Sequence, residues 1–359
     1  MDLDTERLKT FKAFVGLDGF VDQILTPVKI RQNIGSCFIP YASLRELGET
    51  IGSASGSNFN IELYPKFEKL GGNGPLFANV LVELGVQVKY IGCLGNPIHP
   101  VFKDFSKKTH AISLGKYGET SAIELSDGKL ILGKTQALDS VTYDKLLEAF
   151  PKDQWIQLLS QSKLVSWQNW TMLFHLNDIF KRFLQEIWPF INEDPERVCF
   201  FDLADPAKRT NEDVEALLSL LPKFRAKAQV YLGVNRSEAY YLSKLLKLDI
   251  PSQLLSQDSC KQWIEKLKSR LNVDGVIMHC KEGALAACSG QTALVTSLSP
   301  KKFACLTGSG DHFNGGCMSG FLMKLPLEEC LFLGHTLAKA YIETGMTPSL
   351  EVIQQDLNA

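Results

Sequence analysis

The sequence predicts an α/β protein: one large domain with a small β appendage. Three observations carry that reading. Short β-prone apolar runs alternate with helical periodicities along most of the chain. Residues Gly71 to Ile91 run glycine turn, helix, glycine, strand, which is the order of α/β layering. Ser126-Asp127-Gly128 stands between two β-prone runs and breaks the alternation with a hairpin signal.

The elements follow in order. Phe14-Val15-Gly16-Leu17 reads as a strand entering a polar turn. Residues 20 to 64 are mixed, and Gly52 to Ser57 reads as a loop. A helix follows Gly71-Gly72-Asn73-Gly74 and ends near Leu84, with Gly85 as its C-terminal glycine. Val86 to Ile91 reads as a strand, and residues 120 to 135 as the hairpin. Met172 to Trp188 has apolar side chains at helical spacing. Val198 to Phe201 and Gln229 to Leu232 read as buried strands, with a helix near Asp213 to Phe224 between them. Gly275 to Met278 is a further strand. Helices close the chain from Asp311 to Met323 and from Pro326 to Thr344, before Gly345.

Composition narrows the class. A chain of 359 residues buries roughly three quarters of its unfolded surface. A hydrophobic share of 45% and a net charge of −2 exclude a disordered chain. The same charge argues against nucleic acid or a membrane surface as partner, since both need a basic field. No run reaches ~18 apolar residues, and the N-terminus carries charges where a secretion signal would be apolar. The nine cysteines are scattered without a CxxC pair, which fits free thiols in a cytoplasmic protein. Asn169-Trp-Thr and Asn235-Arg-Ser match the glycosylation pattern by chance on this reading.

Gly128 to Thr135 matches the phosphate-loop pattern GxxxxGKT literally. Its interior, Lys-Leu-Ile-Leu, is strand-forming, and no helical periodicity follows Thr135. The match is read as a hairpin strand.

The strongest chemical signal is Leu306-Thr-Gly308-Ser309-Gly310-Asp311 with Phe313-Asn-Gly315. Small residues open a helix here. Its first N–H groups have no intrahelical partner, and the helix dipole adds positive potential. The turn is therefore suited to a phosphate. Asp311 in the first turn could take a proton from an attacking hydroxyl, or it could serve only as a capping acid. Asp18 and Asp22 follow the first strand and could accept hydrogen bonds from a polar ligand. Gly71 and Gly72, with Asn73, allow close backbone approach. Asn235 and Glu238 also fit a helix N-cap with its capping box.

In their order and spacing, these segments resemble the ribokinase-like (PfkB-type) carbohydrate kinases over nearly the whole chain. The resemblance rests on Gly308 to Asp311 with Phe313 to Gly315, and on Gly71-Gly72 with Glu83-Leu-Gly85 and Tyr90-Ile-Gly92. It rests further on Asn235 and Glu238, and on Gly334-His335 to Ala340 with Gly345 and Pro348-Ser349. It implies a three-layer α/β/α domain over residues 1–359 with a mostly parallel sheet. A β lid would come from parts of about 19–64 and 110–137. It also implies phosphorylation of a sugar or nucleoside hydroxyl by ATP with Mg²⁺. Asp311 would be the base, and the backbone of Gly308, Ser309 and Gly310 the anion hole. Asp18, Asp22, Gly71, Gly72 and Asn73 would hold the acceptor. Asn235, Glu238, Gly283 and His335 would serve the nucleotide, with Glu238 meeting Mg²⁺ through water. Two copies could pair through the lid.

The sequence also departs from the family pattern. Leu76 stands where the family carries an asparagine that contacts the sugar. Cys305 and Leu306 replace an Asp-Thr pair of a monovalent-cation site, which argues against potassium dependence. Met278-His279-Cys280 replaces Thr-Leu-Gly near the nucleotide. These changes leave a second reading, a non-catalytic sugar or nucleoside binder with a regulatory role. The lack of basic residues in the first-strand and glycine-pair motifs favours an unphosphorylated acceptor.

Overall fold

A computed structural model describes residues 3–251 and 257–358. Two sheets organise the chain. The large one has nine strands, in spatial order β14-β13-β12-β11-β10-β9-β1-β5-β6. The small one combines four strands in order β3-β2-β7-β8, and β4 also pairs with β2. The first strands are β1 (Lys12–Leu17), β2 (Phe20–Arg31), β3 (Phe38–Pro40), β4 (Glu62–Gly71) and β5 (Gln87–Gly92). Next come β6 (Ile112–Ser113), β7 (Gly118–Leu125), β8 (Gly128–Lys134), β9 (Leu164–Trp167) and β10 (Val198–Asp202). The last are β11 (Gln229–Asn235), β12 (Gly275–Cys280), β13 (Gly283–Cys288) and β14 (Gln291–Thr296).

From β6 to β12 every pairing in the large sheet is parallel; β13 and β14 add an antiparallel edge. A parallel sheet must be covered on both faces. The strands show this residue by residue. Phe14, Val165, Cys199 and Phe201 point into one apolar core, and Val15, Leu164, Val198 and Phe200 into the other. The alternation is the two-residue period of a strand. Helix Leu176–Glu186 covers the first face with Leu176, Ile179, Phe180 and Phe183, one stripe at helical spacing. It is shorter than the periodicity predicts, because short 3₁₀ turns hold Trp170–Met172 and Trp188–Phe190, and Pro189 cannot continue the helix. Helices Asn73–Glu83, Ser309–Met323 and Leu327–Thr344 cover the other face.

The hairpin at the Asp-Gly turn is β7 and β8, so the phosphate-loop match lies in a strand. Asp127 at its tip accepts from the backbone amides of Leu44 and Arg45 and so pins the helix Leu44–Ser53. That helix takes Gly52 and Ser53, so the expected Gly52–Ser57 loop starts only at Ala54. The small sheet runs beyond the residues expected of a lid: β4 carries it to Gly71, whereas β6 at Ile112–Ser113 belongs to the large sheet. All nine cysteines are free thiols, and Cys37 is the exposed one. No helix among the described residues is long and apolar enough to cross a membrane.

Candidate active site

In a parallel sheet, ligands bind outside the carboxyl ends of the strands, where the strand order reverses. Here the chain runs from β1 outward to β5 and β6, then returns past β1 to β9. Asp18, Asn169, Asp202 and Asn235 follow or end β1, β9, β10 and β11, which are neighbours in the sheet. Their arrival at one edge is a consequence of topology.

Asp18 is fully buried. Its carboxylate accepts from the amides of Asn73 and Gly74, each at 2.9 Å, and from Asn169 Nδ2 at 2.8 Å. Tyr90 Oη donates to the Asp18 carbonyl at 2.7 Å and lies 3.3 Å from Oδ1. A carboxylate offers about four acceptor positions, so Asp18 spends nearly all of them inside the protein. It is the strut of the glycine turn. Gly72 sits at φ 95°, and a side chain on Gly74 would meet Asp18 Oδ1 at 2.6 Å. Burial pushes the Asp18 carboxyl up, against the pull of these hydrogen bonds.

Asp22 comes from β2 of the small sheet. It faces Lys69 on β4 and Thr120 on β7. A Cβ on Gly71 would lie 2.3 Å from its carboxyl group, so only glycine leaves room for it there. Burial raises the Asp22 carboxyl, and Lys69 opposes that rise.

Asp311 lies in the first turn of helix Ser309–Met323, after Gly308 at φ 97°. A Cβ on Gly308 would lie 2.7 Å from Leu76 Cδ1, so the leucine packs directly against the turn. His312 N–H reaches back to Gly308 O at 3.1 Å, and Ser309 Oγ donates to Leu306 O at 3.0 Å. Among the described residues, the amides of Gly310 and Asp311 carry no partner and remain available to an anion. Asn73 Nδ2 donates to Asp311 Oδ1 at 2.9 Å. Burial, then the charges of Asp202 and Asp18, push the Asp311 carboxyl well above its ordinary range.

Beside Gly310 opens a cleft of about 820 Å³, lined among others by Asn235, His279, Ser309, Phe313, His335 and Ile342. The His335 ring packs on Phe313 at 5.0 Å, and its Nε2 has no partner among the described residues. Burial lowers the His335 imidazole to about 4, so the ring is neutral. His279 packs against Gly310, where a Cβ would lie 2.9 Å from its ring.

Asn235 and Glu238 form the full capping box of helix Arg236–Leu245. Glu238 accepts from Asn235 N at 2.8 Å, Asn235 Nδ2 at 2.6 Å and Asp205 N at 3.0 Å. The cap reading is therefore realised, and it leaves Glu238 little free acceptor capacity. Gly283 does not line the cleft. It starts β13, where a Cβ would lie 2.3 Å from Val295 O, so its role is the close approach of β14.

Sequence reasoning passed over Asn169, Asp202, Lys69 and Lys129. Asn169 holds φ 59° and reaches Asp18, while its own Oδ1 has no partner among the described residues. Asp202 accepts from Asn314 Nδ2 at 2.8 Å, and burial followed by the Glu238 charge raises it to about 8. The available signal for both was an Asn or Asp at the end of an apolar strand. The lysines gave no such signal; they meet the loop before Gly308 only in the folded lid.

Comparison with known proteins agrees with the fold and the resemblance. The chain is 24% identical over 351 residues to a ketohexokinase of Haloferax volcanii, covering 97% of this chain and 91% of that protein. Solved structures share the fold. A Methanocaldococcus jannaschii nucleoside kinase, an archaeal member of the ribokinase family, matches at TM-score 0.63 and 15% identity, covering 97% of this chain and 98% of that one. The ribokinase of Thermotoga maritima matches at TM-score 0.62 and 17% identity, covering 98% of this chain and 100% of that one. An Arabidopsis thaliana ribokinase, solved with ribose and ATP, matches at TM-score 0.63 and 14% identity, covering 98% of this chain and 99% of that one. The sequence pattern of the prokaryotic ketohexokinases matches residues 5–359, and the chain belongs to that family.

Proposed function

We propose that this protein is a sugar kinase that transfers the terminal phosphoryl group of ATP to a hydroxyl of a ketohexose. One observation carries the reading. Asp311 stands at the mouth of a helix N-terminus that opens on the cleft, and Asn73 of the other glycine turn holds its carboxylate at 2.9 Å. The donor cleft and the lid side meet at that one carboxyl group. The acceptor identity follows the family and the relative named ketohexokinase.

Phosphoryl transfer needs positioning and charge stabilisation more than covalent chemistry. The acceptor hydroxyl would lie between Asp22 and Asp311. Asp311 takes its proton, and its raised pKa makes it a stronger base. The Gly310 and Asp311 amides face the oxygens on which charge develops. The neutral His335 offers Nε2 to the nucleotide in the cleft. The lid excludes water from the acceptor.

Among the described residues no three His, Cys, Asp or Glu side chains converge as a metal cage. The Asp202 and Glu238 carboxylates are already hydrogen-bonded within the protein, so they would meet a hydrated Mg²⁺ through its water rather than as direct ligands. Such an ion, held mainly by water and nucleotide phosphates, would neutralise phosphate charge.

The binder reading rested on Leu76, Cys280 and Cys305. Each has a packing or hydrogen-bonding partner: Leu76 at Gly308, Cys280 at the Gly283 carbonyl, Cys305 at Lys69. That supports an adapted enzyme over a decayed one. For a paired assembly, the lid offers the exposed side chains of Ile30, Ile39 and Leu132. The test of function is ATP consumption against a panel of ketohexoses, aldoses and nucleosides. Turnover with a ketohexose that Asp311→Asn abolishes is the expected result. Tight sugar binding with no turnover for any acceptor would sink the kinase reading.

A further inference from the structure

Two lid lysines reach the loop that leads into the Gly308 turn. Lys69 on β4 donates from Nζ to Cys305 Sγ at 2.9 Å and to Tyr341 Oη at 3.1 Å. Tyr341 Oη donates in turn to the Thr307 carbonyl at 2.8 Å. Lys129 on β8 donates to Thr307 Oγ1 at 3.0 Å. Asp22 pairs with Lys69 and Thr120 in register, and Glu124 with Lys129, so these side chains share the lid face turned to the site.

Ordering two lysine side chains costs rotamer entropy, and an exposed lysine gains nothing by it. The hydrogen-bond partners here are a thiol and two hydroxyls. Tyr341 remains a neutral phenol, because burial and then Cys305 push its pKa up. The groups that hold the Lys69 ammonium are neutral, and the carboxylate that feels its charge is Asp22, opposite it in the small sheet. The loop it holds leads into a turn whose Gly310 and Asp311 amides have no partner among the described residues.

We propose that Lys69 is a positioning residue for phosphoryl transfer. Its ammonium group acts as a tethered cation that braces Cys305 to Thr307 and adds positive potential behind the Gly308–Gly310 turn. Because Lys69 belongs to the lid, the anion hole is complete only while the lid covers the acceptor. The role rests on the kinase reading above.

The test uses the full chain with MgATP and the acceptor found in the panel. Lys69→Met lowers kcat about 10²-fold, as a small misplacement at a reacting centre does, while the Kd for ATP changes less than about threefold. Ammonium or potassium chloride restores kcat of the variant at least about tenfold and leaves the wild type unchanged; choline chloride at equal ionic strength restores none. Wild-type kcat in the variant, or a loss that neither ion relieves, overturns the proposal. If Lys69→Met does not fold, Tyr341→Phe carries the test. It keeps the ring stacked on His312 at 3.8 Å and removes the hydroxyl that holds the ammonium. Its kcat falls about tenfold with unchanged ATP binding; an unaffected kcat overturns the role. A wild type that turns over no acceptor defeats the kinase reading and this role together. A wild type that turns over while both variants match it defeats this role alone.

Discussion

Asn73 Nδ2 donates to Asp311 Oδ1 across 2.9 Å and joins two glycine turns that lie 238 residues apart in the chain. On the proposed function the bond ties the acceptor side of the site to its base. It also holds one oxygen of a carboxylate that burial and like charges would otherwise keep protonated.

Replacing Asp311 with Asn removes the proposed base and a costly buried charge at once. Turnover falls at least about 10²-fold. Stability at neutral pH rises by about 1 kcal/mol, as at other strained functional sites, and the melting temperature rises with it. Thermal unfolding and steady-state kinetics on the same preparation check both; a less stable variant would contradict the electrostatic account.

The pH profile follows from the same shift. On the proposed function Asp311 acts as a base only when ionised, and its pKa is raised. The acid limb of kcat/KM therefore lies above the ordinary carboxylate range. Asp202→Asn removes a charge that raises Asp311, so the limb moves to lower pH. For stability the sign is opposite. A carboxyl raised from 3.8 to about 8, as Asp202 is, binds its proton more tightly when folded. Its contribution is intact at acid pH and is lost as pH rises across that window. An acid limb near pH 4 that ignores Asp202→Asn would refute the coupling.

Gly71→Ala places a methyl group where the Asp22 carboxyl lies, 2.3 Å from its carbon. Asp22 must move. The acceptor KM rises about tenfold while the ATP Kd stays within a factor of two, because the proposed function gives the displaced group to the acceptor alone. Calorimetric titration of ATP and acceptor separately distinguishes this from a general loss of fold.

Asn169→Gly keeps the left-handed backbone at φ 59° and deletes the donor to Asp18. A hydrogen bond to a buried charge is worth about 1.5–3 kcal/mol, and denaturant unfolding should show a loss of that order. An unchanged midpoint would mean that Asp18 does not depend on Asn169.

Much of the fold was legible because local chemistry announces it. The Asp-Gly turn gave the hairpin, Gly71 to Gly74 gave a helix start, and the glycines before Asp311 gave another. β9, β13 and β14 were not legible. They are short, fully or partly apolar runs that periodicity does not separate from a buried helix segment. β4 escaped notice for a related reason: it is largely exposed and reads as polar, and only its pairing with β2 makes it a strand.

The amino-acid sequence by itself determined the two glycine turns, the placement of Asp311 in a helix's first turn, and the α/β alternation. Each is set by residues within a few positions of one another. Only the tertiary structure decided that Asp18 supports a turn, that Glu238 closes a cap, that Gly283 serves strand packing, and that Lys69 reaches Cys305. Those roles depend on partners brought together by sheet order and by the packing of the small sheet. A side chain's role there is set by which groups occupy its hydrogen-bonding positions, and that is a property of the folded chain.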